Sequence, residues 1–451
     1  MDTDVHHPAH WASRYLAELA ASPKQSGHGG ARTGLRELLR RHGNPQSRVR
    51  CVRVAGSKGK GSTALVMESI LERAGYRTGV FTSPHLLDWS ERVRIGGRDI
   101  ACGALTRWLQ QLDPDLRALR DAARWQGPDF FEVCLVIALL AFAEARVDWA
   151  LIECGIGGDG DATAVCQASM ALITSIEREH ADIIGPEVID IAREKCGIIR
   201  PGLTVVAGSL PPAARGVLHA ATQANEAALY ECGDAFGINH LIHNGAPVLH
   251  YQDELGTLVL PVHDALAWLA GNVAVAVAAV RHLPATPVDD VGIIEALSAL
   301  QLPGRLETFP GPPHWLVDSA HTQASSALLA RALSARRPAF CCLVLACSKG
   351  HEPGNWAPAL WQLANHVIVT RMPTQRAVSA ETVAAALRPL CPAPITIEDD
   401  PGRALCLACT LTPRRGLICA TGSVYLAGFA RRFALRTGDA HRPQWTPGLP
   451  G

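Results

Sequence analysis

Residues 52–63 read VRVAGSKGKGST: a short β-branched run, a glycine-rich turn carrying two lysines, and the start of a helix. Gly56, Gly59 and Gly61 let a backbone approach a polyphosphate closely and turn its N–H groups inward. Lys60 supplies a point charge there, and Ser62 or Thr63 a hydroxyl for Mg²⁺. The helix behind is amphipathic, with Val66 and Ile70 on one face and Met67, Leu71 and Ala74 on the next, and Gly75 stops it. The loop departs from the common G-x-x-x-x-G-K-[ST] spacing by one glycine between lysine and serine. Its bland alternative is a glycine-rich strand-to-helix turn.

Composition narrows the setting. A chain of 451 residues exceeds one ordinary core, so two domains are expected. Its 42 basic and 42 acidic residues cancel, which offers no electrostatic footprint for nucleic acid or an anionic membrane. With 48% hydrophobic and 19% charged residues it is a well-cored chain. The longest apolar run, Val133–Ala143, suits a buried helix and is too short to span a bilayer. The opening MDTDVHHPAH lacks a basic stretch followed by an apolar one, and the 14 cysteines fall mostly in apolar segments, among them Cys341, Cys342, Cys347 and Cys419. Both features point to reduced thiols and a cytoplasmic chain. Cys406 and Cys409 lie in a helical pattern with no second pair near them and read as one buried helix face.

Helical pattern covers 9–42, broken by the Gly/Ser/His stretch near 24–31. Strands are expected at 78–82, 148–153, 170–174 and 203–207, a long apolar helix at 131–146, antiparallel strands at a sheet edge within 230–262, and a helix at 264–282. The proline-containing stretch 283–303, with a short helix near 292–300, reads as a linker. A second alternation then places strands at 314–318, 340–347, 366–370, 394–398 and 416–421, with helices between them and after the last. This pattern is α/β: an N-terminal domain over 1–290 built around the phosphate loop on a mostly parallel sheet, a smaller Rossmann-like α/β domain over 303–438, and a flexible tail over 439–451.

In doubly wound sheets, ligands bind beyond the carboxyl ends of the strands. Strand 78–82 runs into Thr82-Ser83-Pro84-His85, and the apolar strand 148–153 ends in Glu153 before Gly155 and Gly157-Gly158. Strand 170–174 runs into Thr174-Ser175, with His180 a few residues on, and Lys195 precedes Gly197 at a helix end. A carboxylate closing an apolar strand beside a phosphate loop is a usual way to hold Mg²⁺, so Glu153 is a candidate metal ligand; the alternative is a cap on the glycine turn. Ser83, His180 and Lys195 each have an ordinary structural reading when taken alone. In the second domain, Arg305 within LPGRLE could clamp phosphates, and Asp318 and His321 end a strand where a ribose or phosphate could dock.

In this order the segments resemble the folylpolyglutamate synthase and dihydrofolate synthase family, a branch of the Mur-type ATP-dependent amide ligases. The matching stretches are GLRELLRRHGNPQ (34–46), VAGSKGKGST (54–63), TSPHLLDWSERVRIGG (82–97), DFFEVCLVIALLAFAEARVDWALIECGIGG (129–158), ITSIEREHADIIG with IAREKCGIIRPG (173–202), LPGRLE, VDSAH and ATGSVYLAG (420–428). The resemblance implies that Ser62, Ser83, Glu153 and His180 hold Mg²⁺, and that Lys60 and Ser62 contact ATP phosphates together with the loop residues Gly56, Gly59, Gly61 and Thr63. It implies a carbamate on Lys195, a monovalent cation, and nucleotide contacts from Asn272, Arg305, Asp318 and His321. Phe131 and Glu132 would lie near a pterin-bearing substrate, and Lys60, His180 and Lys195 would be the catalytic set. The implied reaction transfers the γ-phosphoryl group of ATP to a folate or pteroate carboxylate, and glutamate's amine then attacks the acyl phosphate. Domain closure, a monomer, and no nucleic-acid or membrane partner are part of the same expectation.

The chain departs from the family pattern in four segments, and the departures at Asp159 and Ala164 bear on the acid substrate. Where the family reads G-G-R-x-D-A-T-N, this chain has Gly157-Gly158-Asp159-Gly160-Asp161-Ala162-Thr163-Ala164. Asp129 stands for a threonine before FFE, Glu179-His180 for Asp-His, and Thr322 for the asparagine after the second-domain histidine. A buried charge reversal at Asp159 would weaken anion binding by about 2 kcal/mol or more. That leaves a ligase for a different acid and amine, or a nucleotide-binding protein without ligation, as alternatives.

Overall fold

The computed structural model describes residues 8–21, 32–122, 127–179, 183–243, 246–261, 267–351, 353–374 and 376–438. The chain forms two compact units, Met1–Leu300 and Gln301–Gly451. The tail expected over 439–451 and the break expected near 24–31 lie outside the described residues.

The first unit opens with helices α1 (Pro8–Ala21) and α2 (Thr33–Arg41). Strand β1 (Cys51–Ala55) then leads through the glycine-rich turn into α3 (Lys60–Arg73). Strands β2 (Thr78–Phe81), β3 (Val93–Ile95) and β4 (Arg98–Asp99) precede the helices α4 (Cys102–Asp121) and α5 (Phe130–Ala145). Strands β5 (Trp149–Glu153) and β6 (Ala168–Ile173) follow, then α6 (Val188–Cys196), β7 (Thr204–Ala207), α7 (Pro212–Ala224) and β8 (Ala228–Glu231). These eight strands make one sheet in the order β4-β3-β2-β5-β1-β6-β7-β8, parallel from β2 to β8. Strand β1 lies between β5 and β6, so the turn after it opens where the connections diverge to either side, which is where such sheets bind ligands.

From Val133 to Phe142 α5 is apolar and buried on every side. It packs on α1, α2, α4, β2 and β3, and Asp129 starts it with a capping box: its carboxylate accepts Glu132 N, and Glu132 in turn accepts Asp129 N. Phe142 of α5 lies so close to β2 that a Cβ on Gly79 would come within 2.5 Å of its ring.

Strands β9 (Phe236–His243), β10 (Ala246–Asp253) and β11 (Gly256–Pro261) are antiparallel, as the alternating runs suggest, but form a separate three-stranded sheet rather than an edge of the large one. Two helices close the unit, α8 (Ala270–Arg281) and α9 (Asp290–Ala299). The stretch read as a linker is packed as far as residue 299. Trp149 Nε1 donates to Thr286 Oγ1 at 3.0 Å, and α9 lies on α3 with Ile293 and Leu297 fully buried. The prolines there shape a turn rather than a tether.

The second unit carries β12 (Glu307–Phe309), β13 (His314–Val317), α10 (Gln323–Arg336), β14 (Cys341–Leu345) and α11 (Pro358–Gln362). It continues with β15 (His366–Val369), α12 (Ala380–Leu387), β16 (Ile395–Ile397), α13 (Pro401–Leu411), β17 (Leu417–Thr421) and α14 (Val424–Gly438). Its sheet runs β12-β13-β17-β14-β15-β16, parallel apart from β12, and is the Rossmann-like alternation the sequence suggests.

Ile137, fully buried at the centre of α5, should be an anchor of the first unit. Ile137→Ala should lower the unfolding free energy in urea by about 2–5 kcal/mol with an unchanged denaturant slope.

Candidate active site

The turn after β1 is held from three directions. Ser57 N donates to Ser175 O at 2.8 Å, Lys58 N to Ser175 Oγ at 2.9 Å, and Thr174 Oγ1 to Lys58 O at 2.6 Å. Ser57 Oγ donates to Glu177 O and accepts Glu177 N, so the loop is laced to the segment following β6. Gly59 has φ 83°, and a Cβ there would meet Asn272 Oδ1 at 2.1 Å. Asn272, in the first turn of α8, therefore lies against the phosphate loop from the opposite side. Gly56 meets Thr174 Oγ1 at 2.0 Å in the same sense, so both positions require glycine.

Lys60 folds back over the loop, donating to Gly56 O at 2.8 Å and Ser57 O at 3.3 Å. Lys195, 1% exposed, donates to the same Gly56 O at 2.9 Å and to Glu179 Oε1 at 3.0 Å. Lys58 approaches the other oxygen of Glu179 at 3.6 Å. Burial, and then the like charge of Lys60, push the Lys195 ammonium below its ordinary pKa against the pull of Glu179. Burial raises Glu179, but Lys195, Lys60 and Lys58 together outweigh it and hold the carboxyl below its usual range. Ser62 and Thr63 follow in the first turn of α3, 7% and 0% exposed, and Thr63 Oγ1 finds no partner among the described residues.

Glu153 ends β5 at 4% exposure, and its Oε2 accepts Ser83 N at 2.9 Å. The same oxygen would lie 3.1 Å from a Cβ on Gly61. The structure thus brings Gly61, Ser83 and Glu153 to one corner beside Ser62. His180 lies outside the described residues. Among the described residues no group of three or more His, Cys, Asp or Glu side chains could hold a metal.

The turn after Glu153 is held at nearly every backbone N–H. Asp161 Oδ2 accepts Gly155 N and Ile156 N, its Oδ1 accepts Thr163 N and Thr163 Oγ1, and Glu194 Oε1 accepts Gly158 N and Gly160 N. From beneath, Arg53, 2% exposed in the middle of β1, donates to Gly158 O at 2.8 Å and Thr163 Oγ1 at 3.1 Å, while its Nε finds no partner among the described residues. Phe131 lies under Gly155, where a Cβ would meet its ring at 2.8 Å, and packs on Phe81. Glu132 is 1% exposed and paired with Arg32; burial, and then Asp129, raise its pKa. Asp159 corrects the concern drawn from sequence: it is exposed and pairs with Arg200 at 2.7 Å, so no uncompensated negative charge is buried there.

Beside this turn, His85 Nδ1 accepts Arg92 Nε at 2.9 Å, and the two side chains pack with Trp89 and Phe130. Burial and the neighbouring Arg92 push the imidazole down to about 3, so it is neutral.

In the second unit, Asp318 Oδ2 accepts Leu306 N and its Oδ1 accepts Ala320 N, with burial raising its pKa. Arg305 donates to Ser319 Oγ, and His321 Nδ1 donates to Ser319 O at 2.7 Å while its ring meets His351 edge-on. The three residues singled out there gather around the carboxyl end of β13. Thr322 caps α10, its hydroxyl accepting Ser325 N.

Sequence reasoning passed over Arg32, Arg53, Asp161 and Glu194. Arg53 had a visible signal, a charge inside a β-branched strand; Arg32 and Glu194 act through contacts far away in sequence, and Asp161 through turn N–H groups close to it in the chain.

A glycine-rich loop of the kind that cradles phosphates, a carboxylate at the adjoining strand end and a buried lysine behind the loop are the makings of a nucleotide-using α/β protein. No family model matches the chain. It is 31% identical over 311 residues to the dihydrofolate synthase/folylpolyglutamate synthase of Bacillus subtilis, covering 67% of this chain and 71% of that protein. A crystal structure of Mycobacterium tuberculosis folylpolyglutamate synthase complexed with ADP and AMPPCP superposes with a TM-score of 0.85 at 28% identity, over 97% of this chain and 100% of the other. The Yersinia pestis bifunctional folylpolyglutamate synthase/dihydrofolate synthase, complexed with AMPPNP and Mn ion, superposes with a TM-score of 0.80 at 26% identity, over 97% and 100%. The chain belongs to the folylpolyglutamate synthase/dihydrofolate synthase family.

The His85 geometry carries a pH consequence. Its folded pKa of about 3 lies below the ordinary 6.5, so between those values the unfolded chain takes up a proton that the folded one does not. Stability should therefore fall as pH drops below about 6.5, by at most about 1.4 kcal/mol per unit from this group. His85→Asn, which keeps an acceptor for Arg92, should show a shallower loss between pH 7 and pH 5 in urea unfolding than the parent.

Proposed function

We propose that this protein is an ATP-dependent ligase that joins glutamate to a folate-type carboxylate, dihydropteroate or a tetrahydrofolate. The observation that carries the reading is the convergence of Lys60, Lys195 and Glu179 on the phosphate loop, with Glu153 on the adjoining strand end. Lys60 would leave its backbone acceptors for the phosphates of ATP, and the loop's N–H groups would take the remaining oxygens. The oxygens of Ser62, Ser83 and Glu153, with His180, would hold a divalent ion, a donor set dominated by the oxygen that Mg²⁺ prefers. When bound, that ion supplies charge neutralisation at the transferring phosphoryl group.

The acid's carboxylate would take the γ-phosphoryl group and become an acyl phosphate, releasing ADP. Glutamate's amine then attacks the acyl carbon, and phosphate leaves as the amide forms. Lys60 and the loop stabilise the charge that spreads over the phosphoryl oxygens, and the braced turn after Glu153 keeps the carboxylate corner fixed. Phe131 and Glu132 form the wall assigned to the acid. Arg305, Asp318 and His321 are assigned to the nucleotide. The exposure of Asp159 and its pairing with Arg200 remove the charge argument for an unrelated acid.

The carbamate on Lys195 is part of the proposal. Burial and Lys60 favour the neutral amine that adds to CO₂, and the product would place a further carboxylate beside the metal corner.

A screen of phosphate release with ATP, glutamate and a panel of pteroates and folates tests the activity. Turnover should require both acid and glutamate, and Lys60→Ala should reduce it by at least about 100-fold; unchanged turnover in that variant would remove the phosphate-loop assignment. Protein equilibrated with ¹³C-bicarbonate should give a carbamate carbon signal that Lys195→Gln lacks, and a parent protein without the signal would rule the carbamate out.

A further inference from the structure

Arg32 belongs to none of the motifs behind the functional reading, yet it joins three segments around Phe131 and Glu132. It sits at the N-terminal boundary of α2 in left-handed backbone, φ 47° and ψ 41°. Its Nη1 donates to Glu132 Oε1 at 2.5 Å, and its Nη2 donates to Gly160 O. The guanidinium therefore spans from the first turn of α5 to the glycine-rich turn that leaves β5. Its side chain is 13% exposed against 1% for Glu132, so the pair is largely withdrawn from water.

Two consequences follow from that placement. Both oxygens of Glu132 are engaged, one by Arg32 and the other by Asp129 N at 3.0 Å, so its carboxylate is held in place as part of the wall. The spacing between α5 and the turn is set by one rigid fork, because a planar guanidinium holds its two acceptors at fixed separation. Phe131, the neighbour of Glu132, fills the space beneath Gly155 of the same turn. The phosphate loop is held by different partners, Thr174, Ser175 and Glu177, with Asn272 against Gly59, whereas the hydrogen bonds of Arg32 go to Glu132 and Gly160.

We propose that Arg32 is a positioning residue for the acid substrate: it fixes the gap between Phe131–Glu132 and the Gly155–Gly160 turn, and so governs binding of the acid but not of ATP. This rests on the ligase reading, in which that gap receives the acid.

The test is steady-state kinetics of the full chain and of Arg32→Gln and Arg32→Lys, varying ATP and the acid separately, with melting temperatures measured alongside. In Arg32→Gln the KM for the acid should rise about tenfold or more, the scale of one charge-assisted hydrogen bond, while kcat and the KM for ATP stay within about twofold. Arg32→Lys, which restores the charge, should recover part of the loss. An acid KM equal to the parent's in Arg32→Gln overturns the role of Arg32 and leaves the ligase reading standing. So do acid and ATP KM values that rise together with a lowered melting temperature, since those report general damage. A parent chain that turns over none of the acids overturns both.

Discussion

Two ammonium groups, those of Lys60 and Lys195, donate to one carbonyl oxygen, Gly56 O. Like charges brought together in a largely buried place need a counter-charge, and Glu179 supplies it while also drawing in Lys58. Much of the site's construction serves that concentration of positive charge. The loop is fastened to the end of β6, Asn272 closes against Gly59, and Lys195 is delivered from α6 with hardly any exposed surface. Such an arrangement leaves more positive charge at the loop than the one carboxylate of Glu179 balances.

The same economy appears one strand over. The turn after Glu153 is irregular backbone at the rim of a sheet, and such backbone keeps its shape only when its polar atoms find partners. Asp161 and Glu194 bind its N–H groups, while Arg53 and Arg32 take its carbonyls. Glu153 thus projects from a strand whose continuation is held by side chains from β1, α6 and the start of α2.

The sequence carried the architecture well because each βα repeat writes its own pattern. The apolar strand ending in Glu153 and the alternation after residue 303 could both be read locally. The stretch 283–299 was harder: its prolines resemble a tether, but Trp149 and α3 hold it through contacts from more than a hundred residues away. The three-stranded sheet showed the same limit, since alternation reveals pairing within a hairpin and not the sheet that hairpin joins. At the site, the loop glycines and Glu153 were legible because their chemistry is local. The effect of Asp159 turned on its burial, and nothing near it in sequence shows that it faces Arg200 and solvent. Arg32 and Glu194 draw their importance from partners that only the folded chain brings near.

Asp129 and Thr322, where the sequence resemblance leads one to expect threonine and asparagine, each begin a helix with a side-chain oxygen accepting a backbone N–H. Ser, Thr, Asp and Asn are interchangeable in that task. At both positions the capping task is filled whichever letter of that set is used, so a change of letter there need not be a change of bond. Divergence here is better measured by the bond each side chain makes.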